Sequence, residues 1–179
     1  MTLIKRHESG GVTSQAVYSP CQTYRYLLTR HWGPGPQVLW IMLNPSTATE
    51  AKNDPTIERC QRRAVALGCG GMQIANLFAF RATQPEDLKR AADPVGPLND
   101  AVLAEAARGK ARLVICGWGN DGAFRDRGLH VAAMLADAGA KLHHLGLTRI
   151  GEPRHPLYVS YSQKPMLWLR GDADQAANS

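Results

Sequence analysis

No stretch of the 179-residue sequence approaches the roughly 20 apolar residues that a membrane-spanning helix needs, and Met1-Thr2-Leu3-Ile4-Lys5-Arg6-His7-Glu8 lacks the apolar centre of a signal peptide. The expected compartment is the cytoplasm, with no membrane partner. Cysteine is sparse: Cys21, Cys60, Cys69 and Cys116 stand apart without a C-x-x-C pair. That spacing argues against a disulfide framework or a metal centre, and reduced thiols are expected. No P-loop occurs, so cofactor binding through that loop has no basis, and no cofactor is expected. There is also no H-E-x-x-H, no Ser-His-Asp order and no paired-carboxylate pattern, which leaves the hydrolase classes built on them without support.

What is present suits one domain with a real core. At 44% hydrophobic residues and this length, residues 1–170 are expected to form a single α/β domain, favoured as a monomer, followed by a polar, disordered tail over 171–179. The net charge of +6 and a pI near 9.4 suit a polyanionic partner, because Lys and Arg gain affinity by releasing counterions from phosphates.

Hydrophobic periodicity supplies the scaffold. The polar segment 1–20, with Ser9-Gly10-Gly11, reads as an extended arm or edge strand. Tyr24 to Arg30 alternates as a strand, and Gly33-Pro34-Gly35-Pro36 turns the chain into Val38-Leu39-Trp40-Ile41-Met42-Leu43, a run apolar enough to be buried on both faces. Helices are predicted over 56–67, 98–108, 123–138 and 164–170, and further strands over 72–77, 112–116 and 141–147. This order predicts a three-layer α/β/α sandwich around a central, mainly parallel four-stranded sheet, with an N-terminal antiparallel edge strand.

Four predicted strands each end in a polar cluster. In an open α/β sheet the carboxyl ends of the strands share one edge, where ligands bind, so one site built from four stretches is expected. The first stretch is Asn44-Pro45-Ser46-Thr47. It reads either as a strand-ending turn with an Asx cap or as an amide and two hydroxyls offered to a water or an anion. Asn44 can only position a nucleophile, since a carboxamide takes up no proton near neutral pH. Asp54 or Thr56 reads as the cap of the following helix, and Arg59, Arg62 and Arg63 as its solvated face.

Asn76 interrupts an apolar strand with an amide that needs partners if buried, and it offers the donor and acceptor that a base edge requires. Phe78 and Phe80 read equally as core or as a stacking platform, and Arg81 as a phosphate or carboxylate contact. Gly117-Trp118-Gly119-Asn120 is a tight turn in which glycine permits close backbone approach. His155, held between Pro153 and Pro156, is placed to donate to a developing anion or to act as acid and base.

Across nearly the whole chain, M-L-N-P-S-T-A, N-D-P-T-I-x-R-C, N-L-F-A-F-R-A, G-W-G-N and H-P-L-Y resemble the uncharacterised bacterial family known as domain of unknown function 1643. More loosely, the motif order is similar to that of the uracil-DNA glycosylase superfamily, in which Asn44-Pro45, Asn76, Trp118-Gly119 and His155-Pro156 match successive motifs. Met42, where that superfamily has glycine, and Leu157, where it has serine, depart from its pattern. The resemblance implies a uracil-DNA-glycosylase-like fold and hydrolysis of the N-glycosidic bond of a damaged or modified base in DNA. It also implies roles for particular residues. Asn44 would hold the water and His155 would stabilise the leaving base, an effect worth roughly 3 kcal/mol. Pro45, Ser46, Thr47, Asn76, Phe78, Arg81, Trp118 and Asn120 would line the ligand, with Phe78 or Trp118 stacking on it. Arg154, Leu157, Tyr158 and Lys164 would meet DNA, with Leu157 or Tyr158 as a wedge. The alternatives are a nucleotide or DNA sensor without turnover, and a hydrolase of free nucleosides or nucleotides.

Overall fold

A computed structural model describes residues 1–109 and 111–169. Strands β1 (Leu3–Ser9) and β2 (Val12–Tyr18) form a hairpin whose turn is Gly10-Gly11, both at positive φ. Two left-handed residues give the turn whose twist matches that of paired strands, and glycine adopts them without steric cost. Next come β3 (Arg25–His31), β4 (Gln37–Met42), α1 (Pro55–Ala66) and β5 (Gly71–Asn76). The chain continues through α2 (Pro85–Arg90), α3 (Asn99–Arg108), β6 (Ala111–Cys116), α4 (Arg127–Asp137), β7 (Leu142–His144) and β8 (Met166–Leu167).

The sheet order is β1-β2-β3-β5-β4-β6-β7-β8, which corrects the expectation of a mainly parallel four-stranded sheet with one antiparallel edge strand. It is one eight-stranded mixed sheet in which four pairings, β1-β2, β2-β3, β3-β5 and β7-β8, are antiparallel. The three pairings β5-β4, β4-β6 and β6-β7 are parallel. Two local causes account for the difference. The Gly-Gly turn folds the N-terminal segment back as a hairpin, with Ser14, Ala16 and Tyr18 of β2 facing inward in alternation. At the other end, the segment predicted as a helix over 164–170 instead supplies β8, which pairs with His143 and His144 of β7; Arg170 and the tail lie outside the described residues.

Smaller shifts follow from backbone chemistry. The helix expected from 123 begins only at Arg127, because Arg125 and Asp126 adopt positive φ at the end of a 3-10 stretch over Asn120–Asp126. β7 stops at His144, and Gly146, at φ +109°, turns the chain out of the sheet. Pro85 opens α2 within a segment read as loop, where its missing N–H costs nothing in the first turn.

Alternation along β4 builds the core on both faces. Val38, Trp40 and Met42 pack with Ile57, Cys60 and Ala64 of α1 on one side. Leu39 and Ile41 pack with Leu103 of α3 and with Val131 and Leu135 of α4 on the other. The chain thus leaves β4 toward one face of the sheet and leaves β5 and β6 toward the opposite face. Divergence of neighbouring connections at the carboxyl ends of strands opens a crevice, and here it opens beside β4. Among the described residues, no helix is long and apolar enough to cross a membrane.

Candidate functional site

The segments after these strands are laced together by backbone hydrogen bonds. Leu77 N–H donates to Met42 O (2.8 Å) and Phe78 N–H to Leu43 O (3.0 Å), joining the first stretch to the second. Gly117 N–H donates to Ile41 O (2.9 Å), and Gly119 N–H to Pro153 O (2.8 Å), joining the third to the first and to the loop that carries His155. Packing leaves no room for a side chain at Gly117, where a Cβ would lie 2.9 Å from Pro156 Cδ. These contacts frame a cavity of about 700 Å³ lined by Asn44, Asp54, Asn76, Trp118, His155 and Tyr158, among others.

Asn44 donates from Nδ2 to Ala82 O (2.8 Å) and Pro45 O (3.0 Å). Both partners are acceptors, so the amide orientation is fixed and Oδ1 is what Asn44 offers to a ligand or water. Asn76 is only 2% exposed, lines the cavity, and among the described residues its Nδ2 has no partner. An unpaired buried donor costs about 1–3 kcal/mol, which an acceptor on a ligand would offset. Behind it Asn99 donates to Asn76 O and Leu77 O, both at 2.9 Å, and Arg127 Nε donates to Leu77 O. The Asn76 main chain is therefore held from the α3 side.

His155 is half-buried, and its Nδ1 accepts from Leu157 N–H (3.3 Å), capping the 3-10 turn Pro156–Tyr158. With Nδ1 an acceptor, the neutral ring carries its proton on Nε2. Burial holds the pKa of His155 below the ordinary histidine value, and the Asp54 charge acts in the opposite direction. The result is a neutral imidazole with an Nε2–H donor.

Trp118 is 1% exposed and forms a wall. Its indole N–H is spent on Glu152 Oε2 (2.5 Å), its ring lies 5.6 Å from Trp168, and a Cβ at Gly122 would lie 1.9 Å from Cδ1. Burial pushes the Glu152 carboxyl up from its ordinary value, while the bond from Trp118 pulls it down.

The other residues singled out from sequence divide between this cavity and its surroundings. Ser46, Asn120, Arg154 and Leu157 line it. Tyr158 is 80% exposed at its mouth, while Leu157 is half-buried within it. Pro45 is buried behind the lining and Thr47 faces solvent. Phe78 does not reach the cavity: it is fully buried, 5.8 Å from Phe124, in the core. Arg81 lies in an adjoining groove with Gln22, Thr23 and Asp87, its guanidinium 5.3 Å from the Tyr18 ring; Ser46, Ala82 and Thr83 border both spaces. Lys164 is elsewhere, against Trp40 and Tyr161.

Asp54 and Arg25 are among the cavity residues that were not read as functional. Asp54 does cap α1, its Oδ1 accepting from Ile57 N–H (2.9 Å), but its carboxylate also lines the cavity. Arg25, 2% exposed, donates to Ala48 O from beneath the same lining, and burial lowers its pKa to about 10. A cation amid apolar β3 residues was the one available signal for it. The reading of α1's arginines as a solvated face holds for Arg62, which pairs with Glu58 at 3.1 Å, but not for Arg59 or Arg63. Arg59 donates to Pro156 O and Val159 O, and Arg63 to Val159 O, Ser160 O and Gln163 O, so the two clamp the His155 loop onto α1.

The family described as "Protein of unknown function (DUF1643)" matches residues 25–157. The chain belongs to this family. The DUF1643 span runs from Arg25 at the start of β3 to Leu157, and it includes every residue lining the cavity except Tyr158. Searches of curated proteins and of solved structures found no match, so the likeness to uracil-DNA glycosylases rests on the sequence motifs alone.

Proposed function

We propose that this DUF1643 protein hydrolyses the N-glycosidic bond of a damaged or modified base in DNA. The observation that carries the reading is Asn76, a buried amide with an unpaired donor among the residues that line the same cavity as His155 and Asn44. A nucleobase is a planar ring whose edge carries carbonyl acceptors and N–H donors, the complement of one carboxamide. A base leaving with its bonding electrons gains negative charge on an exocyclic oxygen, which a preorganised neutral imidazole can stabilise by donation. Asn44 Oδ1 would accept from the attacking water. Tyr158, projecting at the mouth with its ring 5.8 Å from that of His155, would fill the gap left by a flipped nucleotide.

One observation favours a second reading, a hydrolase of free nucleosides. At about 700 Å³ the cavity holds more than a base. The deciding experiment incubates the protein with labelled oligonucleotides carrying uracil, hypoxanthine, xanthine or hydroxymethyluracil, followed by alkaline cleavage, alongside the matching nucleosides. Scission that disappears in His155→Ala supports the DNA reading. Base released only from monomers favours the second reading, and no release from either sinks both.

A further inference from the structure

If the cavity cleaves an N-glycosidic bond, a proton must leave the attacking water, and Asn44 cannot take it. The cavity lining contains two carboxylates, Asp54 and Asp121. Asp121 is engaged at 2.8 Å by Lys89 of α2. Asp54 is half-buried and acts electrostatically on both His155 and the buried cation Arg25.

We infer that Asp54, which sequence assigns only to capping α1, is the general base of this site. The inference rests on the function proposed above. Its geometry is that of a fixed carboxylate: Oδ1 accepts from Ile57 N–H at 2.9 Å and Oδ2 from Ala48 N–H at 3.3 Å, each leaving lone-pair capacity for the cavity. Asn76, in a strand, adds an independent observation: a buried side chain with an unpaired donor among the residues lining the same cavity. Held by Asn44 Oδ1, the water gives one proton to Asp54 as its oxygen bonds to C1′ of the sugar. The C1′–N bond breaks with its electron pair passing to the base, whose exocyclic oxygen accepts from His155 Nε2–H. Asp54 then returns the proton to the departing base, leaving free base and a sugar hemiacetal.

The cap makes a clean test possible. Asparagine caps helices as well as aspartate does, so Asp54→Asn keeps the bond from Ile57 N–H, gives up the longer one from Ala48 N–H and removes the basic group. On whichever oligonucleotide or nucleoside the wild-type protein cleaves, Asp54→Asn is expected to fold normally and lose 10²- to 10⁴-fold in kcat, the usual range for a general base, with KM little changed. Formate added to Asp54→Ala should restore part of the rate, a recovery that loss of a cap alone would not show. Wild-type turnover matched by Asp54→Asn overturns the assignment and leaves the function standing. A loss confined to KM, with no recovery in formate, overturns it in favour of a binding role. No release by the wild-type protein from any substrate removes the function and the assignment together.

Discussion

Single side chains decide what this cavity can hold. Because Asn76 Nδ2 is buried and unpaired, replacing it removes a cost as well as a contact. Asn76→Ala is expected to unfold within about 1 kcal/mol of wild type without ligand, and to lose the thermal shift that a bound base gives the parent. Calorimetric melting with and without ligand checks both. His155 has a folded pKa below its unfolded value, so the unfolded chain binds the extra proton first as pH falls through 6.5. Its contribution to stability is therefore present above that pH and is lost below it. His155→Gln should flatten the acid side of the Tm profile, measured between pH 7 and 5. Asn44, Asn76 and His155 were legible as polar residues at strand ends, where an apolar pattern breaks. Phe78 was not, because the strand ends at Asn76 and the alternation that would place both on one face ends with it. Asp54 was hidden by its cap, which explains an Asp-Pro pair so fully that nothing in the pattern asks for a second role.

At the scale of elements, α1 does more than cover the sheet. Arg63 is buried and donates to three carbonyls of the loop after His155. Arg63→Met should cost about 1–3 kcal/mol, since those carbonyls lose their partner, whereas the exposed Arg62→Met should stay within about 0.5 kcal/mol. Urea unfolding of the two variants compares them directly. Sequence periodicity located β4 and α1 because each is long enough to show its period. β8 has two paired residues and α2 six, too few for any period to register, and β8 exists only because β7 offers an edge to pair with. The arginine clamp was equally hidden, since it depends on a loop about 100 residues away folding onto the helix.

At the scale of the whole molecule, charge separates the two substrates. A net charge of +6 predicts that affinity for an oligonucleotide falls steeply as salt rises from 50 to 200 mM, while affinity for a neutral nucleoside hardly changes. Fluorescence anisotropy for the first and calorimetry for the second give the two slopes, and a flat oligonucleotide slope would count against DNA. The hydrogen bonds that hold the four stretches around the cavity, from Leu77, Phe78, Gly117 and Gly119 to the carbonyls of Met42, Leu43, Ile41 and Pro153, run from main chain to main chain. Such bonds are blind to side-chain identity. The frame is therefore written mainly in one alphabet and the chemistry in another, so Asn76, whose amide nitrogen holds no part of the frame, can be exchanged by mutation without dismantling the vessel, whereas Asn44 and His155 each also bond its backbone. At position 76 the chamber's lining can change while its shape, held from outside by the bonds of Asn99 and Arg127 to the main chain, stays the same.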